Sequence, residues 1–446
     1  MPKIHIKTYG CSFNKLDSQI MSGILKNNAF SITNSESESD VVLINSCTVK
    51  NLSESKLFSD IRKYKKEGKK IVVSGCIGQA EESYLNTKLK DISVIGTNDL
   101  DIISDVVIQT LNGNSIHKIS KLNNKKENEI KRAKKEKIRL EFPKTKKNQI
   151  TQIIPISEGC LNTCFFCKTK QARGNLFSYS IDAIKKAFIG AIENGAKEIY
   201  LTSQDTGCYG FDIKTNLPEL LLSLLEVPGD YKIRIGMGNP NHFKKIIDEI
   251  LQIMENDKRV YKFLHVPLQS GSNRILNEMR RMYSLKDYNQ IILKARLQIP
   301  SITIANDIIV AYPTETVDEF QETIKNLKQS RTNVLNYSRF WLRPNTPAEK
   351  MYSSKDFIKG DESKRRSKEL REEFMKIALS NNKKWIGWEG EVLITKEGKT
   401  NTNTFVGRNN YYKPIILKKK KGIKIGDKIK VKITDVTWYD FRGEIV

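Results

Sequence analysis

The chain has 446 residues, 39% of them hydrophobic and 28% charged, with a formal net charge of +25. That composition excludes a disordered or fibrous chain and leaves room for roughly two to four domains. The cationic excess points to an anionic polymer as partner, because binding releases cations from phosphates.

The first hundred residues alternate short apolar runs, KIHIKTYG (3–10), DVVLINS (40–46) and KIVVSG (70–75), with segments of helical spacing such as NKLDSQIMSGILKN. This βαβ rhythm predicts a small parallel α/β sheet. MPKIHIKTYG reads as a strand and not as a signal peptide. Cys11, Cys47 and Cys76 each follow one of the three runs. Parallel sheets carry their sites along the C-terminal edge, so the spacing predicts that these thiols converge. Residues 118–147 are rich in Lys and Arg with few apolar anchors and read as a basic interdomain linker, either a nucleic-acid arm or a solvated spacer.

From Gln149 the βα rhythm restarts and repeats six times, with strands expected at 150–157, 197–203, 232–238, 262–269, 302–313 and 334–344. Six units are too few for a closed eight-unit barrel. An open, partial barrel is expected. Its first strand is followed by GCLNTCFFCKTKQARG (159–174), which places Cys160, Cys164 and Cys167 in one short loop with no histidine nearby. A structural zinc site needs four protein ligands, whereas an iron–sulfur cubane is held by thiolates and three of them leave one iron open for chemistry. A helix near 361–382 ends this unit. The last sixty or so residues hold short strands with turn signals, among them the strictly alternating KIKVKIT. They predict a small β-barrel with a lysine face, aided by KKKK at 418–421. Tyr411, Tyr412, Trp438 and Tyr439 are candidate RNA-stacking rings or core residues. Seven cysteines in so long a chain are no disulfide scaffold, and no apolar run approaches a membrane span, so a cytoplasmic protein with no membrane partner is expected.

The C-x3-C-x2-C loop after the first barrel strand resembles the radical S-adenosylmethionine (SAM) superfamily. Together with Cys11, Cys47 and Cys76 ahead and the small barrel behind, the whole chain is similar to the methylthiotransferase family. The last barrel resembles a TRAM domain. CKTKQARG, LTSQDTGCYG, HVPLQSGSNRILNEMRR and RPNTPAEKM are most similar to the archaeal and eukaryotic branch that acts on threonylcarbamoyladenosine in tRNA. The fold implied is α/β: an N-terminal methylthiotransferase domain (1–117), the linker (118–147), a partial (β/α)6 radical SAM barrel (148–382) and a TRAM-like RNA-binding β-barrel (383–446).

The resemblance implies two [4Fe-4S] clusters, one on Cys160, Cys164 and Cys167 and one on Cys11, Cys47 and Cys76. The open iron of the first would hold SAM, whose reductive cleavage gives a 5′-deoxyadenosyl radical. The second would carry the sulfur, methylated by a second SAM. The implied partners are tRNA (adenosine 37 in the anticodon loop), an electron donor protein and a sulfur source. By position, Phe166, Gln204, Asp205, His265, Gln269 and Ser270 are candidate SAM contacts, and Arg173 and Arg343 candidate substrate contacts through phosphate or carboxylate. Cys208 is expected only to pack. One departure stands out: AYPTET (311–316) has Ala311 and Thr314 where relatives often show the glycines of GFPGET, which puts the backbone approach there in doubt. Alternative readings are a methylthiotransferase of another tRNA nucleoside or of a ribosomal protein, and a non-catalytic, zinc-containing RNA-binding protein.

Overall fold

The structure is a computed structural model that describes residues 1–48, 51–120, 137–145 and 150–446. In the N-terminal region, strands β1 (Lys3–Thr8), β2 (Ser31–Thr33), β3 (Val41–Asn45), β4 (Lys70–Ser74), β5 (Ser93–Ile95) and β6 (His117–Lys118) form one parallel sheet. Their order is β2-β1-β3-β4-β5-β6. The three expected strands are its centre. The other three are only two or three residues long, too short to register as apolar runs. Val41 to Ile44 are fully buried, as suits a parallel strand covered on both faces. Helices Ser12–Asn27 and Ile103–Leu111 cover one face and helix Asn51–Lys66 the other. The register sets Thr8 beside Asn45 and Asn45 beside Ser74, so β1, β3 and β4 end level with one another.

Most of the basic segment at 118–147 lies outside the described residues. The part described is anchored: the helical turn Lys137–Glu141 buries Arg139 and Leu140 against both neighbouring domains.

All six barrel strands are present: β7 (Thr151–Pro155), β10 (Glu198–Thr202), β11 (Lys232–Ile235), β12 (Phe263–His265), β13 (Thr303–Val310) and β14 (Val334–Arg339). They form two parallel sheets, β11-β10-β7 and β12-β13-β14, joined at β11 and β12 by Tyr261 N–H donating to the Ile233 carbonyl (2.9 Å) and Gly238 N–H to the His265 carbonyl (3.0 Å). Among the described residues β7 and β14 do not pair, so the barrel is open, as expected. A two-residue ribbon, β8 (Ser157–Glu158) with β9 (Phe177–Ser178), brackets the three-cysteine loop. The helix Gly360–Lys383 leads into β15 (Glu389–Glu397), β16 (Thr404–Arg408), β17 (Pro414–Lys418), β18 (Lys428–Val436) and β19 (Phe441–Ile445), a closed barrel in the order β15-β16-β17-β19-β18.

Of the two readings of the rings on that barrel, packing holds for three of the four. Tyr412 is inserted beneath the larger barrel, where its hydroxyl meets that of Tyr200 (2.6 Å) and its ring lies 4.8 Å from that of Phe263. Tyr411 packs on Trp385 and Trp438 on Phe374. Only Tyr439 is exposed. Burying aromatic area against a neighbouring domain outweighs leaving it in water.

Candidate functional site

The second cysteine triplet sits where the sheet topology puts it. Strands β1, β3 and β4 are immediate neighbours, and parallel strands lie about 4.8 Å apart, so residues just past their ends come together. The Cys11 and Cys76 Sγ atoms both lie near Asn14 Oδ1, at 3.5 and 3.8 Å, and Cys76 is hydrogen-bonded to Cys47. Cys47 and Cys76 are buried, whereas Cys11 is exposed and faces the open side. Cys11 is the N-cap of helix Ser12–Asn27, but burial of its sulfur and the neighbouring Cys76 outweigh the helix N-terminal backbone and raise its pKa. Hydrogen bonding from Cys47 lowers the pKa of Cys76 against the effect of burial, and the charge of Arg173 lowers it further. Gly75 (φ 92°) makes the close turn possible: a Cβ there would strike Asn45 Oδ1 and the Ser46 carbonyl. Asn45 in turn holds Asn14 in place, donating to its carbonyl (2.8 Å) and accepting from its amide (3.2 Å).

The first triplet, Cys160, Cys164 and Cys167, is half-buried in its loop. Each sulfur receives a donor. Arg281 Nη1 lies 3.0 Å from Cys164 Sγ, Asn162 Nδ2 3.6 Å from Cys160 Sγ, and the Thr169 N–H 3.4 Å from Cys167 Sγ. Burial, the nearby Asp205 charge and the neighbouring thiols push Cys160 up to about 12. Burial and Cys164 likewise raise Cys167. Thiols crowded against one another and supplied with N–H donors suit a multiply charged metal core that accepts thiolates.

The two triplets are bridged by one short segment. Helix Thr169–Arg173 follows Cys167 and packs on helix Cys76–Ala80. Lys168 forms a fully buried ion pair with Glu81 (2.9 Å; side chains 0% and 1% exposed) and also donates to the Pro344 carbonyl (2.7 Å). Arg173 Nη2 donates to Asp17 (2.7 Å), which Arg139 also engages. Arg173 and Arg343 therefore differ from their expected substrate roles. Both are buried and neutralised by carboxylates of the N-terminal domain, Arg343 by Glu54 (2.9 Å).

The other expected site residues fall into two groups. Phe166, beside Cys167, packs against Tyr312 (6.3 Å between ring centres). Gln204 carries a buried Oε1 that has no hydrogen-bond partner among the described residues. His265 faces Asp307 (3.1 Å) across the strands, and Gln269 follows on the same strand end with φ 71°. Asp205 and Ser270 are committed elsewhere. Asp205 accepts from Gly207 N, Asn239 N, Asn162 and His242, at 2.8–3.0 Å, and so bolts the cysteine loop to β10. Ser270 is fully buried and accepts from Ser272 N.

Cys208 packs as expected: it is buried, bonded to the Asp205 carbonyl, and kept a thiol by burial and the Asp205 charge. Asp205, Cys208 and His242 lie close enough to suggest a metal, but the Asp205–His242 hydrogen bond already accounts for the pair. The residues missed in the sequence are Asn14, Asp17, Glu81, Asn162, Lys168 and Arg281. Only Arg281 carried a signal, a second arginine closing the quoted motif.

The open six-strand barrel with three thiols in the loop after its first strand defines a radical SAM protein. Residues 154–327 match the radical SAM superfamily, 3–96 the uncharacterized protein family UPF0004 and 383–446 the TRAM domain. The fold is similar to that of a radical SAM methyltransferase, TsrM from Kitasatospora setae (TM-score 0.56, 11% identity, 78% of this chain and 74% of that one). The human threonylcarbamoyladenosine tRNA methylthiotransferase is 38% identical over 445 residues, covering 100% of this chain and 74% of its own. A probable one from Archaeoglobus fulgidus is 37% identical, covering 99% and 98%. The chain belongs to the threonylcarbamoyladenosine tRNA methylthiotransferase family.

Proposed function

We infer that the chain converts N6-threonylcarbamoyladenosine at position 37 of tRNA to its 2-methylthio derivative, using one [4Fe-4S] cluster on each cysteine triplet. The carrying observation is the convergence of Cys11, Cys47 and Cys76 around Asn14, at a place joined by helix Thr169–Arg173 to the loop of Cys160, Cys164 and Cys167. The donor set argues against zinc. Among the described residues no histidine completes either triplet, for all four are hydrogen-bonded elsewhere: His5 to the Thr33 carbonyl, His117 to Leu89 and Ile92, His242 to Asp205 and His265 to Asp307.

Bound there, the clusters and SAM supply one-electron and sulfur chemistry for a C2–H bond that proton transfer alone does not activate. The chain's own residues position it. Arg281, Asn162 and Thr169 orient the sulfurs of the first triplet, and Asp205 holds Asn162. Phe166, Gln204, His265 and Gln269 are the proposed SAM contacts, with the unpartnered Gln204 Oε1 as an acceptor for a ligand donor. The exposed Lys418–Lys421 run, Lys430, Lys432 and Tyr439 form the proposed RNA face, at which basic side chains meet phosphate and one ring offers stacking. An electron donor protein and a sulfur source complete the reaction in the cytoplasm. The test is anaerobic reconstitution with SAM, reductant and threonylcarbamoylated tRNA, followed by nucleoside mass spectrometry. The methylthio nucleoside is expected; its absence with full iron loading would overturn the substrate assignment.

A further inference from the structure

The second thiol site contains an arginine that already reaches the Cys76 thiol and keeps one buried donor without a partner among the described residues. Arg173 is 3% exposed, and the Phe13 ring lies 4.7 Å from its guanidinium. Its Nη2 is committed to Asp17 (2.7 Å) and approaches Asn14 Oδ1 (3.5 Å). Its Nη1 is buried and has no hydrogen-bond partner among the described residues. A buried, charged N–H without an acceptor is costly, and native proteins keep one where a ligand completes it. The surroundings say which ligand. Asn14 Oδ1 is approached by Arg173 Nη2, Cys11 Sγ and Cys76 Sγ alike, at 3.5, 3.5 and 3.8 Å, so the guanidinium and the two sulfurs share one small neighbourhood.

We propose that Arg173 Nη1 binds the small sulfur anion, of the hydrosulfide or thiolate class, that the second triplet's cluster presents for transfer. The inference rests on the proposed second cluster. A tRNA phosphate or the substrate's carboxylate would need this donor at the surface, and it lies inside. A guanidinium donates a directed, charge-assisted hydrogen bond, and it stays protonated at any working pH. The donor also comes from the other domain: Arg173 lies in the segment that begins at Cys167, so the sulfur-binding point is complete only when the two domains are docked.

The experiment uses the full chain with Cys160, Cys164 and Cys167 changed to Ala, so that any iron belongs to the second site. After anaerobic reconstitution, iron is counted and sodium hydrosulfide is titrated while the electron paramagnetic resonance of the reduced cluster is followed. The arginine-bearing protein is expected to hold about four irons and to show a saturable spectral change. Arg173→Met should weaken hydrosulfide binding about tenfold or more at equal iron content. Arg173→Lys keeps a cation for Asp17 but lacks the second prong of the fork, and it tests the same donor should the methionine variant lose iron; it should weaken binding severalfold. Unchanged hydrosulfide affinity in the lysine or methionine variant at equal iron content would overturn the role of Arg173. Absence of iron from the triple-alanine protein itself would instead overturn the second cluster, and this inference with it.

Discussion

The two cysteine triplets do the same job of holding thiols together by opposite means. Cys160, Cys164 and Cys167 are neighbours in sequence, and one loop suffices to gather them. Cys11, Cys47 and Cys76 are neighbours only because β1, β3 and β4 are adjacent and end level. The first site takes its arginine, Arg281, from its own barrel; the second takes Arg173 from across the domain boundary. A local site survives changes in domain docking, whereas an assembled one reports on them. The backbones differ too. Both sites turn on positive-φ glycines, Gly10 and Gly75 at the second and Gly159 and Gly174 at the first, but around the first Gln269, Arg280, Ala311 and Thr314 hold positive φ as well without being glycine.

The largest expected effect tests whether there are two sites at all. Cys167→Ala and Cys47→Ala should each lower iron from about eight to about four per chain, and each should abolish formation of the methylthio nucleoside. If Cys47→Ala keeps full iron and full product, the assembled site is inert and the comparison fails. The next effect concerns docking. Lys168→Met leaves Glu81 buried and unpaired, a loss of about 3–5 kcal/mol by urea unfolding, whereas Lys364→Met on the exposed helix surface should stay within about 0.5 kcal/mol. Equal small losses would mean that the bridging segment does not carry the domain contact. A smaller effect separates the two arginines. Arg281→Met removes a positive charge from Cys164, so the potential of the first cluster should fall, on the order of tens of millivolts. The second cluster's potential should stay put in the same redox titration.

The sequence made the local site plain and the assembled one readable, for different reasons. C-x3-C-x2-C is a spacing, visible in any order of strands. The convergence of Cys11, Cys47 and Cys76 needed only the rule that parallel strands end on one edge, and that rule applies wherever strand ends can be recognised. What stayed illegible was everything that crosses the domain boundary. Arg173 and Arg343 look like ligand-binding residues in a linear reading because an arginine in a loop has no visible partner. Their partners, Asp17 and Glu54, lie more than a hundred residues away. Lys168 and Glu81, which drew no reading in the sequence, likewise pair across that boundary. The rings of the last barrel were ambiguous because stacking on RNA and packing on a neighbouring domain ask for the same side chains. Tyr412 shows the second outcome.

The AYPTET turn gives the finest test of how much strain the first site carries beyond its glycines. Its departure from the glycines of its relatives suggested an altered backbone, yet Ala311 and Thr314 keep φ 58° and 66°, the left-handed region that favours glycine. The turn is held from outside: the Ala311 N–H donates to Glu315 (3.1 Å), the Thr314 N–H to the Asp356 carbonyl (3.1 Å), and Arg274 reaches the Thr314 carbonyl (2.9 Å). Tyr312 within it supports Phe166, so the first site rests on this strained turn. A β-branched residue there costs about 1–2 kcal/mol. Glycine would relieve that cost but give back about 0.5–1 kcal/mol in unfolded-chain entropy, and the exposed hydrogen bond from Thr314 to Glu278 (3.0 Å) would be lost. Thr314→Gly should therefore change stability by no more than about 1 kcal/mol, on the stabilising side, and leave iron content untouched. A clear destabilisation in urea would mean that the hydroxyl bridge, not the backbone, dominates this turn, and that the first site is built with no more strain than the second.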